Sequence, residues 1–167
     1  MTETIDERKK VYDVAKHFDN AMLVTIAASG NPKARPMHVA RVDEDLSNIW
    51  FLTSKESGLA EDVSRQSTVL LVFQNDNSAF LSLRGKARIV EDQPKIHQLW
   101  KEPYKVWFPR GADDPDIALI GVDPVDAEYW DNRGVNKLEY LFETAKAYFK
   151  GERPNLEDRD RHAKTSL

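Results

Sequence analysis

Apolar residues recur along this chain with two periods, and the places where the period changes mark its elements. Val11, Val14, Ala15 and Phe18 fall at helical spacing, which predicts an amphipathic helix over residues 5–19, broken at Asp19-Asn20. Ala21 to Ala28 is an apolar run of strand length, and Ser29-Gly30-Asn31-Pro32 is a dense turn signal. The strand after that turn carries Arg35 and Arg41, so the first two strands are expected to form an antiparallel hairpin. Alternation along it sets Arg35, Met37, Val39 and Arg41 on one side and Pro36, His38, Ala40 and Val42 on the other. Asp43-Glu44-Asp45 turns the chain into a third strand, Asn48 to Thr53.

A short helix over about residues 55–65 is predicted next, with Leu59, Ala60 and Val63 as its inner face. Thr68 to Gln74 is nearly all apolar and β-branched, which predicts a central strand buried on both faces. After the turn signal Asn75-Asp76-Asn77-Ser78, the run from Ala79 to Val90 alternates cleanly. Ala79, Leu81, Leu83, Gly85, Ala87 and Ile89 form the apolar side; Gly85 on that side predicts a bend where another backbone approaches. Pro94 after Asp92 opens a brief helix to Trp100. Pro103 to Pro115 reads as a short helix followed by a surface loop. Ile117–Val122 and Val125–Trp130 read as one strand bent at Asp123-Pro124.

Leu138, Leu141, Phe142, Ala145, Tyr148 and Phe149 predict an amphipathic helix over 137–150, ended by Gly151. The pattern therefore gives one mainly β domain over residues 1–151, with six strands in hairpin order and flanking helices, and a charged, flexible tail over 152–167. The connections are too short for parallel crossovers, so an antiparallel barrel is expected rather than a parallel α/β sheet.

Composition narrows the chemistry. A net charge of -4 argues against an extended nucleic-acid-binding surface. The chain has no cysteine, which excludes disulfides, thiol catalysis and cysteine metal sites and suits a cytoplasmic location. The polar first ten residues do not read as a secretory signal, and no apolar run approaches the roughly 20 residues that span a bilayer. His17, His38, His97 and His162 have no ligand spacing, so no metal site is expected.

One stretch does concentrate binding chemistry. Two guanidiniums, Arg35 and Arg41, share a strand face near a helix start rich in hydroxyls: Thr53, Ser54 and Ser57. Thr53 and Glu56 have capping-box spacing. The free first-turn N–H groups of a helix and a pair of arginines together can hold a phosphate, whereas the plainer alternative is a solvated strand face and a capped helix. Trp107, Phe108 and Trp130 can wall a planar ring, or fill core or a subunit interface. Asp113, Asp114 and Asp116 read as turn and cap residues, and the basic stripe Arg84, Lys86 and Arg88 as a solvated face.

Four passages in order resemble the flavin-binding split-barrel family, the pyridoxamine 5′-phosphate oxidase-like fold, and within it the general stress protein branch. They are Ala34-Arg35-Pro36-Met37, Trp50-Phe51-Leu52-Thr53-Ser54, Val106-Trp107-Phe108-Pro109-Arg110-Gly111 with Asp113-Asp114-Pro115, and Pro124-Val125-Asp126-Ala127-Glu128-Tyr129-Trp130-Asp131. The resemblance implies a six-stranded antiparallel split barrel forming a homodimer, with FMN at the subunit interface and FAD or a deazaflavin as alternatives. It assigns Arg35 and Ser57 to the phosphate side and Phe51, Leu52, Thr53 and Ser54 to the flavin. Met37 and Trp130 join them as cofactor-contacting residues, with Arg41 and Lys55 as supporting cations.

The chain departs from the oxidase in one respect that matters. An Arg-Lys pair follows the phosphate-side serine there, whereas Gly58-Leu59 follows it here, so the phosphate grip is incomplete. The oxidase's C-terminal arginine and histidine cluster is also missing, and pyridoxamine phosphate oxidation is not expected. Two functions remain: an FMN-dependent oxidoreductase of stress response with unknown substrate, or a non-catalytic dimeric stress or binding protein with weakened or different cofactor binding.

Overall fold

The computed structural model describes residues 2–74, 79–131 and 162–167. The helix expected over 137–150 and the turn expected at 75–78 lie outside them. The chain begins with helix α1 (Thr2–Ala15). Val11, Val14, Ala15 and Phe18, the residues at helical spacing, are all buried. The hairpin follows as β1 (Asn20–Ile26) and β2 (Pro32–His38), paired antiparallel from Asn20 opposite His38 to Ile26 opposite Pro32. Gly30 takes a positive φ of 82° in its turn, where the Ala27 N–H donates to the Asn31 carbonyl at 2.9 Å.

The expected second strand does not continue to Arg41. At Val39 and Ala40 the chain changes partners: the Val39 N–H donates to Asp19 O, and the Ala40 N–H to Trp50 O, each at 2.8 Å. A separate strand, β3 (Arg41–Val42), then pairs with β4 (Ile49–Ser54). Arg35 and Arg41 therefore lie on different strands and do not share a strand face. Two consecutive buried residues, Val39 and Ala40, make the corner: Val39 joins the barrel core and Ala40 the second cluster outside it, so alternation continues while the pairing partner changes.

Helix α2 (Gly58–Arg65) starts three residues later than expected and is capped by Ser57, whose Oγ accepts from the Ala60 N–H. Thr53 cannot cap it because Thr53 is still in β4, opposite Ala118. The remaining strands are β5 (Thr68–Gln74), β6 (Ala79–Val90), β7 (Ile117–Asp131) and β8 (His162–Ser166). Between β6 and β7 come α3 (Gln93–Leu99), N-capped by Asp92, and two 3₁₀ turns, Glu102–Val106 and Gly111–Asp113. The sheet runs β2-β1-β5-β6-β7-β4-β3, with β8 added against β7. Its two end strands, β2 and β3, are joined by only Val39 and Ala40, so the sheet is curled into a barrel-like whole.

The fold is therefore the mainly β, antiparallel split barrel with flanking helices. Its eight described strands exceed the expected six because one expected strand divides into β2 and β3, and because β8 forms at residues 162–166, expected in the tail. Gly85 behaves as its position requires. A Cβ there would lie 2.5 Å from Val122 Cγ1 and 2.8 Å from Asp123 O, and the β6–β7 register shifts between Arg84 and Gly85. The expectation for β5 is corrected: only alternate residues are buried, and Leu70 and Val72 stay exposed. The β-branched run was compatible with two buried faces, yet one subunit covers only one.

The main core fills the barrel, with Leu23, Phe51, Phe73 and Leu83 fully enclosed. A second cluster, with Trp50, Ile96, Leu99, Tyr104, Phe108 and Leu119, packs α3 and the first 3₁₀ turn onto the β4–β7 side. That second layer builds one wall of the site.

Candidate functional site

Near the barrel's seam, β2 and β4 approach one another and leave a cavity of about 360 Å³. Pro36, Met37 and His38 come from β2, and Leu52, Thr53 and Ser54 from β4. Tyr104, Trp107 and Phe108, from the first 3₁₀ turn and the residues after it, complete the wall. Trp107 is 68% exposed, so the aromatic wall is open at its rim. Phe108 and Tyr104 are buried, and Tyr104 packs edge-on against His38 and Trp100 at 5.6 and 5.7 Å between ring centroids. The Tyr104 hydroxyl is buried without a hydrogen-bond partner among the described residues. Burial pushes its phenol up to about 12, so it remains a neutral donor. Burial, then the charge of Lys101, holds His38 below its ordinary range despite the opposing pull of Asp19.

A polar chain leads away from the cavity. Thr53 Oγ1 lies 3.0 Å from Ser57 Oγ at the start of α2. Over the first residue of that helix sits Arg35: a Cβ on Gly58 would be 3.7 Å from its Nη2. Arg35 donates to Thr25 Oγ1 at 2.8 Å and to Asp62 Oδ2 at 3.0 Å. Thr25 in turn donates to the same Asp62 oxygen at 3.0 Å, and Arg65 donates to the other at 3.2 Å. Burial alone would raise the Asp62 carboxyl; the hydrogen bonds from Arg35, Thr25 and Arg65 outweigh it and hold Asp62 below the usual carboxylate range.

Of the residues assigned from sequence, the structure brings Met37, Leu52, Thr53 and Ser54 to the cavity, with Arg35 and Ser57 beside it. Phe51 points the other way, into the barrel core. Lys55 pairs with Glu91 at 2.6 Å, and Arg41 with Asp43 at 3.1 Å on β3; neither lines the cavity. Trp130 sits opposite Phe80, about 13 residues along β7 from the end that faces Ser54, a path of roughly 40 Å within one chain. The basic stripe is occupied: Arg84 pairs with Asp126, Lys86 donates to Thr68 Oγ1, and Arg88 lies over the Trp50 ring. Asp114 is buried and accepts from Arg110 and from the Asp116 N–H, as a turn residue. No cluster among the described residues could hold a metal ion.

Sequence reasoning missed Asp62, Thr25 and Tyr104, and gave no site role to His38, which alternation sets on the other side of its strand from Arg35. Asp62 did carry a signal, since it falls three residues after Leu59 on the inner face of α2. Thr25 likewise continues the buried alternation of Ala21 and Leu23.

The site fits one half of a flavin and not the other. Apolar and aromatic walls, two titratable groups and hydroxyls around about 360 Å³ suit a single planar ring system; the volume is near the lower end of the roughly 300–1,000 Å³ range of ligand pockets. The phosphate side does not fit as expected, because Arg35, Arg41 and Lys55 are each paired with a carboxylate.

Residues 6–155 match the family model described as pyridoxamine 5'-phosphate oxidase like, and the chain belongs to that family. A protein assigned as general stress protein 26 from Jannaschia sp. CCS1 is 25% identical, with 97% of this chain and 99% of that one covered at a TM-score of 0.76. The general stress FMN/FAD binding protein from Xanthomonas citri is 27% identical over 78% of this chain and 92% of that chain, with a TM-score of 0.65. An F420 reductase, 18% identical over 69% of this chain and 93% of its own, shares the fold at a TM-score of 0.55. No curated protein matches the chain.

Proposed function

We propose that this chain binds a flavin-type cofactor with its ring in the β2–β4 cavity and works as a general stress oxidoreductase in a homodimer. FMN is the first candidate, with FAD or a deazaflavin as alternatives. The observation that carries the reading is the cavity itself: Pro36-Met37 and Leu52-Thr53-Ser54, far apart in sequence, meet under an aromatic wall with room for one ring system. The family membership and the FMN/FAD-binding neighbour support the same cofactor class.

A bound flavin would supply the hydride or electron chemistry. The chain's own part is to orient the ring between Met37, Leu52 and Trp107, to exclude water with Phe108, and to present polar groups from His38, Thr53 and Tyr104. The test is the visible spectrum of purified protein mixed with FMN and desalted. Retention near one flavin per subunit is expected. Protein that retains no absorbance, and whose tryptophan emission is unmoved by FMN, FAD or a deazaflavin, would overturn the reading.

A second reading, a binding protein without turnover, is favoured by the carboxylate partners of Arg35, Arg41 and Lys55. Flavin-loaded protein that fails to oxidise NAD(P)H with any added electron acceptor would favour it over the first.

A further inference from the structure

We infer that Asp62 sets the selectivity of this site: its carboxylate occupies Arg35, so the cavity takes a flavin-type ring with little preference for a 5′-phosphate. The inference rests on the ring-binding reading above and narrows it. Arg35 is on the strand that supplies Pro36 and Met37, and it lies across the start of α2. Those are the two donors a phosphate would use. Yet one Nη1 donor goes to Thr25 and one Nη2 donor to Asp62, and the Asp62 carboxylate balances the charge that would attract a phosphate.

The three cations differ in how readily they are released. Lys55 and Glu91 form an exposed pair, which opens at little cost. Arg41, on β3, is held by Asp43 and is not among the residues that line the cavity. Asp62 is different, because its side chain is only 5% exposed and both its oxygens are engaged. A phosphate that drew Arg35 away would leave a buried carboxylate short of a partner and would itself face that negative charge. The helix start compensates only in part, because Ser57 holds the Ala60 N–H and the backbone donors of Gly58-Leu59 bring no cation with them.

Titration with riboflavin and FMN, followed by flavin fluorescence, reads this directly on the unmodified protein. The dissociation constants are expected to agree within about fivefold, since a phosphate held by a freely available arginine would add at least about tenfold. FMN tighter by more than fivefold overturns the inference and leaves the cavity reading standing. Binding of neither ligand overturns both. Asp62→Asn keeps the side chain's shape and its acceptor for Thr25 while removing the charge. FMN is then expected to tighten by about tenfold or more, with riboflavin moving less than threefold. Equal shifts for both ligands, or no gain for FMN, would mean that Asp62 acts only structurally. Should the variant not fold, the ratio for the unmodified protein decides alone.

Discussion

Tyr104 puts a hydroxyl into the interior beside the cavity with nothing among the described residues to receive it. A buried donor left unmade costs about 1–3 kcal/mol, so Tyr104→Phe is expected to stabilise the ligand-free protein by about 1 kcal/mol in urea unfolding. A loss of similar size would show that the hydroxyl is satisfied. Trp107 is the opposite case. Being mostly exposed, it contributes little to folding, and Trp107→Ala is expected to leave stability unchanged while weakening flavin binding by about 1 kcal/mol. Equal flavin affinity in the variant would remove Trp107 from the wall.

His38 and Asp62 are both held below their ordinary values of 6.5 and 3.8, so the folded state binds fewer protons at each than the unfolded chain. Stability therefore rises with pH at both. The His38 contribution is complete above 6.5 and fades as pH falls through its folded value; the Asp62 contribution persists until pH drops below 3.8. Urea midpoints stepped from about pH 8 to about pH 5 should decline for the unmodified protein and flatten in His38→Gln. A variant that declines as steeply as the parent would rule out His38 as the group responsible.

Among the elements, the crossing of β6 over β7 is the most constrained. Gly85→Ala would drive a methyl into Asp123 O and Val122, neither of which can yield without disturbing the bulge, so a loss of about 1–3 kcal/mol is expected in unfolding experiments. No loss would mean that the strands separate freely there. This contact was legible in the sequence, because a glycine on the apolar side of an alternating run marks a point where a neighbouring backbone leaves no room for a side chain.

So were the β1–β2 hairpin, the irregularity of β7 beside Pro124 and the inner face of α2. The corner at Val39-Ala40 was not, since alternation carries on through it and only a hydrogen-bond partner changes. The cap at Ser57 was hidden because Thr53 offers the same hydroxyl at a capping-box spacing while being held in the β4 ladder. β8 was hidden for a different reason: His162 to Ser166 reads as polar tail until β7 supplies its partner. At the site, Met37 and Leu52 to Ser54 were legible from their motifs. The counter-ions were not, because Asp62 comes to Arg35 only through the packing of α2 on β1.

For the molecule as a whole, the exposed side of the sheet raises the question of what covers it. Met22, Leu70, Val72, Phe80 and Trp130 are each 37–39% exposed, and the ladders set Met22 against Val72 and Phe80 against Trp130 on that one side of β1, β5, β6 and β7. Five large apolar residues together across four adjacent strands form a patch of a kind that soluble monomers rarely leave open. We propose that a second copy covers it, which also gives Trp130 an interface role far from its own chain's cavity and explains why β5 reads as buried on both faces. A patch that packs against its own copy closes as a twofold dimer. Sedimentation at micromolar concentration should therefore give twice the 19.2 kDa chain mass. Val72→Lys places a charge at the centre of the patch without touching the barrel core, so it should yield a folded monomer with an unchanged far-ultraviolet circular dichroism spectrum. A parent protein that sediments as a monomer would refute the proposal. A variant that stays dimeric would move the interface to another surface, whereas flavin retention by a Val72→Lys monomer would show that one subunit is enough to hold the ring.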